Sequence, residues 1–115
     1  MDLNLRSVFI MTNFFQDMLI AGKGCIVNIS CIKGSKPFPG LVSYCMSKAG
    51  LEMLTKSTAL ELARFGVRAN CVSPSYVNTN LYRQAGLTDL ENESIASKEV
   101  DTNPTGRAAT VEEVC

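Results

Sequence analysis

The chain has 115 residues, 46% of them hydrophobic, and its 11 basic and 11 acidic side chains give a formal net charge of +0. That balance leaves no electrostatic footprint for nucleic acid or an anionic membrane, while the length and apolar content suffice for one small core. Five cysteines, no histidine and no Cys-x-x-Cys pair argue against a disulfide scaffold and a zinc site, and point to free thiols in a reducing, cytoplasmic compartment.

In chain order, residues 2–21 read as one helix, with Leu5, Val8, Phe9 and Leu19 among its apolar positions, and Gly22-Lys23-Gly24 stops it. Asn13, Gln16 and Asp17 interrupt its most apolar stretch, which is too short and too polar to span a bilayer. Residues 25–30 form a short apolar run rich in β-branched residues, as expected of a strand buried on both faces. The loop Lys33-Gly34-Ser35-Lys36-Pro37-Phe38-Pro39-Gly40 returns to a helix over about 42–64, ended near Gly66, and residues 67–73 read as a second buried strand. Strand, helix and strand joined by a right-handed crossover is the unit of a parallel sheet. From Pro74 to Thr105 the pattern weakens, and the polar run Asp89–Asp101 is expected to form a short helix and a mobile loop over the site. Asn28-Ile29-Ser30 and Asn92-Glu93-Ser94 match the glycosylation acceptor pattern, the first inside an apolar strand, and both are read as fortuitous.

The chemistry concentrates at Tyr44-Cys45-Met46-Ser47-Lys48, which opens the second helix. Residues four apart on a helix share a face, with Cβ atoms about 5–6 Å apart, so the Lys48 ammonium can stabilise a Tyr44 phenolate. A phenol with an ordinary pKa near 10 is thereby brought toward working pH, as a tyrosine general acid/base requires. On spacing alone the pair is equally a surface contact on an ordinary helix.

Around that pair the chain resembles the short-chain dehydrogenase/reductase family over nearly its whole length. Asn4-Leu5-Arg6-Ser7-Val8-Phe9 looks like the family's Asn-bearing helix, and Gly24-Cys25-Ile26-Val27-Asn28-Ile29-Ser30-Cys31 like the strand that carries its serine. Tyr44 to Lys48 matches the catalytic pair, and Asn70-Cys71-Val72-Ser73-Pro74-Ser75-Tyr76-Val77-Asn78-Thr79 the strand and loop that hold the nicotinamide end of the cofactor. Pro104-Thr105-Gly106-Arg107, with Glu112-Glu113-Val114, is similar to the segment before the last helix.

The resemblance implies an α/β fold, a Rossmann-type doubly wound parallel sheet, and an oxidoreductase that uses NAD or NADP to interconvert a small-molecule carbonyl and an alcohol. It implies Tyr44 as general acid/base, Lys48 as the residue that lowers its pKa and binds the nicotinamide ribose, and Asn4 as the holder of a water linking Lys48 to solvent. Ser30, Tyr44, Lys48, Pro74, Ser75, Val77 and Thr79 fall at positions on the cofactor side. The two long helices look like those through which the family commonly builds dimers and tetramers, which implies a homo-oligomer, while the general similarity to beta-ketoacyl carrier-protein reductases is a fold-level analogy. Residues 1–115 are expected to be a partial domain, the catalytic half, because the glycine-rich Gly-x-x-x-Gly-x-Gly turn that receives the pyrophosphate and the family's final strand are both missing; Met1 is not required to be a true start. The competing expectation is a non-catalytic paralogue or truncated product that acts only through helix-mediated contacts.

Two positions depart from the family pattern. The serine that polarises the substrate carbonyl lies thirteen residues before the tyrosine, which here is Cys31, with Ser30 its neighbour. A thiol is a weaker donor than a hydroxyl; Cys31 is alternatively a redox-sensitive thiol or a small buried hydrophobe. Ser75 stands where the family has glycine after Pro74, and serine would strain the loop if that position needed φ > 0.

Overall fold

In a computed structural model, residues 1–84, 86 and 88–115 are described. They divide into two compact units, Met1–Ser73 and Pro74–Cys115.

The first unit begins with a π-helical turn, Asp2–Arg6, followed by α1 (Ser7–Phe14) and α2 (Gln16–Gly22). The single helix expected over 2–21 is therefore divided. In the π turn the Ser7 N–H reaches back five residues to the Asp2 carbonyl, and at Phe15 the backbone opens to φ −94°, ψ 4°. Asn13 Nδ2 donates to the Phe9 carbonyl at 2.9 Å, a side-chain competitor for the helical ladder just before the break. At the end of α2, Lys23 adopts the left-handed conformation (φ 48°) and the Gly24 N–H bonds the Leu19 carbonyl at 2.9 Å, so the stop signal works through a lysine at the position glycine favours.

The β1 strand (Cys25–Ile29) pairs in parallel with β2 (Arg68–Val72) in the register Cys25↔Arg68 to Ile29↔Val72. Between them runs α3 (Val42–Leu62), extended by a 3₁₀ turn Ala63–Phe65 and ended at Gly66, whose φ of 79° glycine alone adopts without strain. This is the strand–helix–strand unit expected from the sequence. The core beneath α3 is made by Leu51, Leu62 and Val67 with Ser47, Thr55 and Thr58, and Asn28 Nδ2 donates to Thr55 Oγ1 at 2.9 Å, tying the strand to the helix.

The expectation that both strands are buried on both faces is corrected. Burial alternates, with Cys25, Val27 and Ile29 exposed on β1 and Arg68, Asn70 and Val72 on β2. The cause is that α3 covers the Asn28 face, while the opposite face of this two-stranded sheet stays open in the first unit.

In the second unit α4 (Leu81–Gln84) precedes α5 (Asp89–Thr102). The polar run over Asp89–Asp101 is helical throughout, not a short helix and a mobile loop. Its start is set by a reciprocal capping box between Thr88 and Glu91. Beyond α5, Arg107 grips Glu113 with both guanidinium nitrogens, which holds the Glu113 carboxyl down to about 2. Val77 forms an isolated parallel bridge to Ala109. Among the described residues, no helix is long and apolar enough to cross a membrane, and no cluster of ligating side chains could hold a metal ion. All five cysteines are free.

Candidate active site at the carboxyl ends of the strands

In open α/β sheets ligands bind beyond the carboxyl ends of the strands, and there the first unit gathers its polar side chains. Ser30 follows β1 and Ser73 follows β2, joined where the Ser30 N–H meets the Val72 carbonyl at 2.7 Å. The first turns of α3 bring Tyr44 and Lys48 to the same end. Lys48 Nζ donates to the Ile29 carbonyl at 2.8 Å and lies 5.8 Å from the centroid of the Tyr44 ring. Burial lowers the Lys48 pKa below its usual value of 10.5, and the nearby Cys31 sulfur, through its negative charge when ionised, pulls it back up. Tyr44 and Lys48 are each half-buried.

Cys31 is 9% exposed, in extended backbone (φ −163°), and its carbonyl accepts the Gly34 N–H at 2.9 Å as the chain turns into a 3₁₀ segment, Ile32–Gly34. Ser30 points to α3 instead, where Oγ donates to Glu52 Oε1 at 3.0 Å and lies 3.4 Å from the Lys48 carbonyl oxygen. The same Glu52 oxygen accepts Ser73 Oγ at 3.1 Å. Asn4, in the π turn, donates to Ser47 Oγ at 3.3 Å, and Ser47 Oγ donates in turn to the Tyr44 carbonyl at 2.7 Å. The Asn4 amide is thus bonded to the Ser47 hydroxyl, which links it to the backbone of the Tyr44 turn.

Of the residues expected on the cofactor side, Pro74, Ser75, Val77 and Thr79 fall in the second unit. Ser75 Oγ accepts from Asn103 Nδ2 at 3.1 Å, and the same amide nitrogen donates to the Arg107 carbonyl at 2.8 Å. Ser75 keeps negative φ, Lys23 being the only non-glycine described residue with positive φ, so the strain anticipated for a serine after Pro74 does not arise. Val77 sits in the bridge to Ala109, flanked by Asn78 N–H to the Ala109 carbonyl and Ala109 N–H to the Tyr76 carbonyl, each 3.0 Å. Thr79 Oγ1 accepts the Leu81 N–H at 3.4 Å, in the manner of a cap on α4. Pro74 is half-buried. The stretch from Tyr76 to Asn103 includes Ala85 and Leu87, which lie outside the described residues.

The structure therefore brings Asn4, Ser30, Cys31, Tyr44 and Lys48 into one unit, and Pro74, Ser75, Val77 and Thr79 into the other. Sequence reasoning missed Ser47, Glu52, Ser73 and Asn103. The signal for Glu52 was present in its spacing, since Tyr44, Lys48 and Glu52 recur every four residues along one helical face.

The comparisons with known proteins agree with this architecture. The family model described as enoyl-(acyl carrier protein) reductase matches residues 1–115. The chain is 34% identical over 115 residues to the 3-oxoacyl-acyl-carrier-protein reductase of Chlamydia muridarum, covering 98% of this chain and 44% of that protein. A short-chain dehydrogenase/reductase of unknown function from Caenorhabditis elegans, solved with cofactor, superposes with a TM-score of 0.87 at 36% identity, over 97% of this chain and 43% of that one. A gluconate 5-dehydrogenase from Burkholderia cenocepacia, solved with NADP and tartrate, gives 0.84 at 28% identity, over 97% and 43%. The chain spans less than half the length of these relatives, and what it shares with them is one portion of a Rossmann-type α/β fold with a parallel sheet. By the match along its whole length, the chain belongs to the short-chain dehydrogenase/reductase family.

Proposed function

We propose that this chain supplies the catalytic half of an oxidoreductase that interconverts a small-molecule carbonyl and an alcohol, using NAD or NADP, with Tyr44 as general acid/base. The observation that carries the reading is the placement of Tyr44 and Lys48 on one face of α3, with the Lys48 ammonium held at the carboxyl end of β1 by the Ile29 carbonyl. A cation there stabilises the Tyr44 phenolate. The ammonium has two further N–H donors, which suit the ribose hydroxyls of a nicotinamide group, and in the second unit Pro74, Ser75, Val77 and Thr79 are the residues that the family resemblance assigns to the cofactor. When bound, that group supplies or accepts the hydride. In the reductive direction Tyr44 gives its phenolic proton to the developing alkoxide, and in the oxidative direction the phenolate removes it. Cys31 stands at the family's serine position and offers the carbonyl oxygen a thiol donor. Asn4 steadies the Tyr44 turn through Ser47 and is also the site for a water linking Lys48 to solvent.

In the full-length protein, Tyr44→Phe should lower the turnover of a reducible ketone by about a hundredfold or more while NAD(P)H binding, followed by cofactor fluorescence, stays near wild type. Lys48→Met should weaken both. Substantial turnover by the Tyr44→Phe protein would remove Tyr44 from the role. A homo-oligomer, dimer or tetramer, is the second element of the reading: α1, α2 and α3 carry exposed Phe14, Met18, Met46, Met53 and Leu60, apolar side chains that a second copy could cover.

A further inference from the structure

We propose that Glu52 is a positioning residue: it clamps the carboxyl ends of both strands and, by taking the Ser30 hydroxyl, leaves residue 31 as the side chain offered to the substrate carbonyl. This rests on the oxidoreductase reading above. Glu52 is not part of the Tyr44–Lys48 pair and needs no contact with substrate to act.

One carboxylate oxygen, Glu52 Oε1, accepts from Ser30 Oγ at 3.0 Å and from Ser73 Oγ at 3.1 Å. Those serines are the first residues beyond β1 and β2, so a single atom on α3 fixes both strand ends against the helix that carries Tyr44 and Lys48. An ionised carboxylate accepts and never donates, and bonds to it are stronger than neutral ones. The loop that leaves β1 is seated on the same oxygen: a Cβ at Gly34 would stand 2.7 Å from Glu52 Oε1 and 3.0 Å from the Lys48 carbonyl carbon. A hydroxyl has one hydrogen to give. With the Ser30 hydrogen directed to Glu52, Ser30 has none left for a substrate carbonyl, and alternation along an extended chain turns Cys31 the other way.

The test compares Glu52→Gln, Glu52→Ala and Ser73→Ala in the full-length protein by two readouts. One is steady-state reduction of a ketone panel with NAD(P)H. The other is the rate at which iodoacetamide alkylates Cys31, measured by peptide mass spectrometry relative to Cys45. Misplacement of about 1 Å costs up to about a hundredfold in rate, so Glu52→Ala should lower kcat by about tenfold or more, leave the KM for NAD(P)H nearly unchanged, and raise Cys31 alkylation several-fold. Glu52→Gln keeps a carbonyl oxygen for both hydroxyls and should rescue both readouts. Ser73→Ala removes one of the two bonds, should move both readouts the same way by less, and decides the matter if Glu52→Ala does not fold. Wild-type kcat and wild-type Cys31 alkylation in Glu52→Ala or Ser73→Ala, with only the melting temperature reduced, would overturn the proposal, as would equal losses in Glu52→Gln and Glu52→Ala. If no form of the protein reduces any ketone, the oxidoreductase reading fails by itself, and the alkylation ratio alone then decides whether Glu52 sets the exposure of residue 31.

Discussion

Gly34→Ala is expected to destabilise the protein specifically through Glu52. The Gly34 backbone is not in the left-handed region, so the cost of alanine is one of space and not of φ. Its Cβ would lie 2.7 Å from Glu52 Oε1, where ordinary contact begins at 3.4 Å, and the carboxylate must retreat by the difference. That movement weakens the bonds from Ser30 and Ser73, now 3.0 and 3.1 Å. At about 0.5–1.5 kcal/mol net for each hydrogen bond, their loss costs about 1–3 kcal/mol. The second contact, 3.0 Å to the Lys48 carbonyl carbon, is with helix backbone that cannot swing aside, and overpacking of that kind costs typically about 1–3 kcal/mol. A total of about 2–6 kcal/mol follows, read from urea unfolding of the full-length protein as a lower midpoint at constant m-value. The double-mutant cycle with Glu52→Ala separates the two parts, because without the carboxylate only the backbone contact remains. A coupling of about 1 kcal/mol or more is expected. A Gly34→Ala protein as stable as wild type, or a coupling energy near zero, would refute the reasoning.

Further outcomes follow from the same geometry. Cys31→Ser should raise the reduction rate, since a hydroxyl donates a shorter, stronger bond to a developing alkoxide than a thiol, whereas Ser30→Ala should move it less; Ser30→Ala inactivating with Cys31→Ser neutral would make Ser30 the carbonyl donor. The Lys48 pKa is lowered by burial, so the folded state releases this proton first and stability should rise with pH in the window below 10.5. Across that alkaline window the denaturation midpoint of the wild type should rise relative to that of Lys48→Met; equal slopes would count against the burial effect. Leu51, 2% exposed on the buried face of α3, should cost about 2–5 kcal/mol when changed to alanine, checked by the same unfolding assay. Light scattering should find the full-length protein as a dimer or tetramer, and a stable monomer would contradict the apolar helix faces as a self-association surface.

The sequence by itself determined the strand–helix–strand unit, because those signals are local. A β-branched apolar run bounded by glycine gave β1, a long periodic stretch gave α3, Gly66 ended it with the positive φ that its lack of a Cβ permits, and the segment between Gly66 and Pro74 gave β2. The Tyr44–Lys48 pairing was equally legible, since four-residue spacing on a helix fixes a shared face whatever surrounds it. The division of the first helix at Phe15 was not legible: it arises from backbone competition at Asn13 and from the π turn, and neither alters the apolar periodicity. Nor was the full length of α5, whose polar residues carry little periodic signal; its start rests on the Thr88–Glu91 cap. Only the tertiary structure decided what each polar residue at the site does with its hydrogen bonds. Residues distant in sequence, Ser30, Glu52 and Ser73, meet at one oxygen because two parallel strands end side by side under α3. No spacing rule encodes that meeting, since it depends on the strand register and on the closeness with which Gly34 lets the loop approach the helix.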